Sequence, residues 1–105
     1  MDKWASKNDI RLPVIPEYCD QPHHMFYLLM PSGERRNSFI QHLKNMGIMA
    51  VFHYLPLHLS KMGKMFGGSK GECPVTENIS DRLVRLPFYN DLDIETLDFN
   101  CFYDF

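Results

Sequence analysis

The chain has few cysteines, almost no net charge and no long apolar run, and each shortage narrows what it can be. Cys19, Cys73 and Cys101 are an odd set with no Cys-x-x-Cys pair. That argues against a disulfide scaffold or a zinc ribbon and predicts reduced thiols in a cytoplasmic protein. Lys and Arg total 11 against 13 Asp and Glu, a net charge of −2. Such a balance lacks the basic footprint of a nucleic-acid or membrane-surface protein. No apolar stretch approaches the roughly 18 residues that a membrane helix needs, and Met1-Asp2-Lys3-Trp4-Ala5-Ser6 has no apolar signal core. Neither nucleic acid nor membrane is therefore expected as a partner. Gly67-Gly68-Ser69-Lys70-Gly71 lacks the spacing of a phosphate loop and follows no predicted strand.

What is present is ordinary globular composition: 105 residues, 45% hydrophobic and 23% charged, enough for one domain. A chain of this size buries roughly 65% of the surface its unfolded form exposes, which supports one modest core. The unusual feature is continuous apolar sequence at 25–30, 48–52 and Phe102-Tyr103. A small free-standing domain alternates on its solvent side. These runs are therefore either strands covered on both faces or surface that meets another domain or chain.

Residues 24–30 read as a strand, broken by Pro31-Ser32-Gly33. A helix follows, with Ser32 as N-cap, Glu34 in its first turn and Phe39, Leu43 and Met46 on one face. Gly47 stands where a left-handed C-terminal residue is wanted. Residues 48–54 predict a second, buried strand that Pro56 stops. Residues 57–66 predict a short helix with Leu59, Met62 and Met65 inward. Residues 74–85 predict another, with Ile79 and Leu83 on one face. A short strand at 86–89 and a last helix at about 94–103, with Leu97, Cys101 and Phe105 near one stripe, complete the pattern. The alternation predicts an α/β two-layer sandwich, a small sheet covered by helices.

The densest polar cluster in an apolar setting is His53-Tyr54-Leu55-Pro56-Leu57-His58. Two imidazoles and a phenol at a strand end can hydrogen-bond a phosphate or a sugar hydroxyl. The same residues equally suit a packed turn with satisfied histidines. On a regular strand, His53 and Tyr54 would point to opposite faces, so only one would face a cleft. Zinc ligation by His24, His53, His58 and Cys73 fits no recognised spacing. No cysteine has a context that would make it a nucleophile. The acidic stretch at 91–98 reads as a solvated helix start.

His24-Met25-Phe26-Tyr27 and the run from Met46 through His58, with Ser80 and Leu86-Pro87-Phe88-Tyr89 later, resemble the C-terminal small domain of the DegT/DnrJ/EryC1/StrS sugar aminotransferases. The resemblance covers about 10–92. It implies the small domain of an aspartate-aminotransferase-like fold, with residues 10–105 as that domain and 1–9 as a polar lead-in ending a helix of a large N-terminal domain. It implies a pyridoxal 5'-phosphate enzyme that moves an amino group from glutamate to a 4-keto-6-deoxy nucleotide sugar, a dTDP-sugar, for cell-surface polysaccharide such as enterobacterial common antigen. A homodimer in the cytoplasm is implied as well. His53, Tyr54, His58 and His24 are the implied substrate-binding residues. No catalytic residue is assigned, because the family's Schiff-base lysine belongs to the large domain and Lys61, Lys64 and Lys70 match no such motif. No metal is implied. The chain is thus expected to be a part of a longer enzyme, inactive alone; a non-catalytic binding module or an inactive fragment is the alternative. The aromatic tail from Phe99 to Phe105 departs from the family's acidic amphipathic helix.

Overall fold

The computed structural model describes residues 1–93 together with Phe102 and Phe105. Helix α1 (Asp2–Lys7) leads by an extended segment to strand β1 (Phe26–Leu29). Helix α2 (Gly33–Asn45), strand β2 (Val51–Phe52), a 3-10 turn (Leu57–Leu59), helices α3 (Lys61–Met65) and α4 (Pro74–Arg82), and strand β3 (Leu83–Leu86) follow. The sheet is antiparallel in the order β1-β3-β2. This is the small α/β sandwich expected from the sequence.

Helix α2 forms where its caps allow. The Ser32 side chain accepts a hydrogen bond from the Arg35 backbone N–H at 3.2 Å, which satisfies one of the helix's orphan donors. Gly47 takes a positive φ of 78° and lets the chain leave the helix. Phe39 and Leu43 are fully buried in one cluster with Leu28 and Val84 of the sheet and with Met30 just after β1. Met46 is exposed rather than inward, because it is the C-cap residue and the helical stripe has ended.

Four other expectations change. The 48–54 strand shrinks to Val51–Phe52, both exposed, and only Ala50 of that run is buried. As an edge strand β2 pairs on one side only and is too short to be closed over. The 57–66 helix divides into a 3-10 turn and α3, and Met62 and Met65 face outward, the latter 73% exposed. Helix α4 ends at Arg82 because Leu83 turns extended and enters β3. The last strand is therefore Leu83–Leu86 and not 86–89, since this register seats Val84 opposite Leu28. The helix predicted at 94–103, with Leu97 and Cys101, lies outside the described residues.

The segment 1–9 is an integral part of the packing. Trp4 and Ala5 are buried, and the Trp4 ring lies 5.9 Å from Phe39 and 6.1 Å from Phe102. Phe39 also meets Phe102 at 5.8 Å and Phe105 at 5.0 Å. These separations fall in the range in which aromatic pairs attract beyond their buried area.

Side chains alternate across the sheet. Leu28 and Val84 face α2, so Tyr27, Leu29, Leu83, Arg85 and Val51 share the opposite face. At one end of that face Leu29 and Leu83 are buried. At the other, Tyr27 and Arg85 are half-buried and Val51 is exposed. The core is small and centred on one ring, so Phe39→Ala should cost about 3–5 kcal/mol of a total near 5–15 kcal/mol. Ser32→Ala should cost only about 1 kcal/mol. Urea denaturation of both variants reads the difference.

Candidate functional site

The turn after β2 is held by short-range hydrogen bonds. Pro56 is buried and fixes the backbone entering the 3-10 turn. The Ser60 hydroxyl donates to the Leu57 carbonyl at 2.7 Å and accepts from the Gly63 N–H at 2.9 Å. Gly63 lies so close to the Leu57 carbonyl that a Cβ there would overlap it, which is why this helix carries a glycine.

His58 leaves this turn toward α4. Its Nε2–H donates to Glu77 Oε1 at 2.9 Å, and each side chain is 14% exposed. The same oxygen accepts the Gly71 backbone N–H at 2.7 Å. Glu77 thereby ties the 3-10 turn to the loop that precedes its own helix. The His58 hydrogen bond holds the Glu77 carboxyl below its ordinary range. Backbone donors at Gly71 and Cys73 and the His58 charge act in the same direction, against partial burial.

His24, His53 and Tyr54 come together elsewhere, along an open groove of about 450 Å³ beside the exposed end of the sheet. Met25, Met49, Val51 and Phe88 give it apolar walls. The His53 and Tyr54 rings are 4.9 Å apart and tilted by 58°. Both line the groove, contrary to the alternation expected of a strand, because β2 has ended at Phe52 and neither residue belongs to it. His58 is not among the lining residues. His53 Nδ1 is sealed from solvent and has no hydrogen-bond partner among the described residues. An orphaned buried polar atom costs about 1–3 kcal/mol.

Arg85 is the lining residue that sequence reasoning missed. Its guanidinium lies 5.1 Å from the Tyr54 ring centroid. The available signal was the alternation Leu83-Val84-Arg85-Leu86, read instead as the last turn of a helix. A second, more apolar groove of about 420 Å³ shares His53 and Tyr54 and is walled by Val75, Ile79 and Leu83. Cys19 and Cys73 are exposed free thiols. No metal-ligand cluster occurs among the described residues, nor any helix long and apolar enough to cross a membrane.

The clasp has a pH signature. A carboxyl whose folded-state pKa is depressed contributes stability above its unfolded value and loses it as pH falls through the folded one. Melting temperature should therefore drop as pH is lowered from the ordinary glutamate range into more acidic solution. Glu77→Gln should flatten that part of the profile. An unchanged slope in the variant means that other carboxylates set it.

Comparison with known proteins gives the family. The chain is 33% identical over 92 residues to an uncharacterized protein of Methanocaldococcus jannaschii, covering 84% of this chain and 24% of that one. It is 29% identical over 85 residues to a pleiotropic regulatory protein of Geobacillus stearothermophilus, covering 80% and 23%. Among solved structures it resembles one named as a sugar aminotransferase of Streptococcus pneumoniae in its PMP form, with TM-score 0.79, 26% identity and coverage of 96% of this chain and 27% of that one. It also resembles DesV of S. venezuelae in complex with a ketimine intermediate, with TM-score 0.73, 27% identity and coverage of 90% and 26%. The chain thus spans about a quarter of the length of these relatives. The profile of the DegT/DnrJ/EryC1/StrS aminotransferase family matches residues 5–99, and the chain belongs to that family.

Proposed function

We propose that this chain is the C-terminal small domain of a pyridoxal-phosphate-dependent sugar aminotransferase, and that its groove receives the sugar substrate. The observation that carries the reading is the convergence of His24, His53 and Tyr54 on one groove beside the open sheet face. Three side chains able to donate or accept hydrogen bonds, set among apolar walls, suit an oriented polar ligand.

Pyridoxal phosphate supplies the electron sink for amino transfer and is carried as an imine on a lysine. Among the described residues no lysine lines the groove, so these residues do not hold the cofactor by themselves. The role proposed for them lies on the substrate side. His53 and Tyr54 orient the sugar and exclude water, while a large N-terminal domain carries the lysine. His58 supports the turn from behind through Glu77 and contributes to binding only indirectly.

The substrates proposed are glutamate as amino donor and a 4-keto-6-deoxy dTDP-sugar as acceptor, in cell-surface polysaccharide synthesis in the cytoplasm. Within the family, the dTDP-4-amino-4,6-dideoxygalactose transaminase branch is the one that the residues around His24 and His53 resemble. The exposed Leu55, Leu57, Met65 and Phe66 suit contact with the large domain and with a second subunit, since apolar patches of this kind mark interaction surfaces.

The test uses a longer protein that carries this segment. It should transfer an amino group from glutamate to the keto sugar nucleotide, while the 105-residue chain alone should not. His53→Ala or Tyr54→Phe should raise KM for the sugar nucleotide about tenfold, the loss of one hydrogen bond to a charged group. The glutamate half-reaction should change much less. Transfer by the short chain alone overturns the reading, as does an unchanged KM accompanied by a lower melting temperature.

A further inference from the structure

Arg85 sits in the middle of the open sheet face with no counter-charge among the described residues. The register places it between Tyr27 on β1 and Val51 on β2. Its guanidinium stacks on Tyr54, and its Nε is shut off from solvent with no hydrogen-bond partner among the described residues. Arg36 and Arg82 share an orphaned Nε. However, Arg82 donates through Nη1 to the Pro31 carbonyl, Arg36 lies over Phe52, and neither borders the groove. Among the described residues no Asp or Glu lines the groove. A cation held against an apolar wall without a carboxylate is stabilised when an anion arrives.

We propose that Arg85 is the anion-recognition residue of this groove, and that its guanidinium receives a phosphate group of a phosphorylated organic ligand. The ligand's apolar body lies along Met25, Met49 and Phe88. The inference deepens the reading of the groove as a substrate site and rests on it.

The donor set around Arg85 selects phosphate over carboxylate. The guanidinium fork matches two oxygens of either anion. Yet His24, His53 and the Tyr54 hydroxyl border the same groove, and together they offer more donors than two carboxylate oxygens can use. The diphosphate of a sugar nucleotide presents four non-bridging oxygens and two charges. Stacking on Tyr54 also holds the guanidinium plane in place, so less side-chain freedom is lost on binding. The volume of about 450 Å³ lies within the range of small-molecule sites.

The experiment follows the Arg85 Nε–H resonance of the ¹⁵N-labelled 105-residue chain during titration with inorganic diphosphate, thymidine diphosphate and glutamate in turn. Both phosphates should shift it saturably, and glutamate at equal concentration should not. Arg85→Gln should weaken diphosphate binding about tenfold or more, as expected for loss of a charge-assisted bidentate contact. Lys44→Gln, which removes the same charge from an exposed site on α2, should not, and the dispersion of the amide spectrum shows whether each variant is folded. Absence of a saturable shift overturns the proposal, as does equal weakening by the two substitutions. A shift produced by glutamate instead overturns the assignment to phosphate. Phosphate binding at Arg85 without amino transfer by the longer protein would sink the aminotransferase reading and leave the phosphate site standing. Normal transfer by the longer protein with no shift in this chain would do the reverse.

Discussion

Phe39 is the point at which both ends of the described chain meet the sheet. Its ring is fully buried on α2, touches Trp4 from the N-terminal helix, and meets Phe102 and Phe105 from the C-terminal end. Beneath it lie Leu28 and Val84, opposite one another on β1 and β3. A three-stranded sheet has only two faces, and this cluster takes one. The far face is buried only at the Leu29 and Leu83 end, so the rest of it is free to do something other than hold the domain together.

That division explains where polar chemistry appears. No buried polar or charged residue occurs on the core side among the described residues. Arg85 lies on the opposite face by strand alternation, and His53 and Tyr54 join it because β2 stops two residues into its run. A longer β2 would have sent one of the two away. The Glu77 clasp keeps the following turn in register by tying His58 and Gly71 to one carboxylate oxygen. The short edge strand and the clasp thus act together on the groove, one releasing the chain and the other fixing its return.

Much of this was legible in the sequence because local signals agreed with the tertiary outcome. Ser32, the spacing of Phe39 and Leu43, and Gly47 mark α2 by three separate rules, and all three hold. The family resemblance rested on the run through His58 and is matched over residues 5–99. Other features were decided by contacts that spacing does not encode. Trp4 looks like part of a polar lead-in until Phe39 is placed beside it. Residues 83–85 continue a helical pattern until pairing with β1 draws them into a strand, and with that Arg85 moves from a helix end to the groove. His58 looked equivalent to His53. Its partner Glu77 is 19 residues away in sequence, and no local rule links the two.

The central claim is that ligand meets the open side of the sheet and not the helical side. Methionine oxidation rates in a longer family protein carrying this segment, with and without the sugar nucleotide, test it most directly. Met25 and Met49 line the groove, whereas Met46 is exposed at the end of α2 and does not. The account predicts that the substrate slows oxidation of Met25 and Met49 and leaves Met46 unchanged. Protection of Met46 with no effect on Met49 would contradict it.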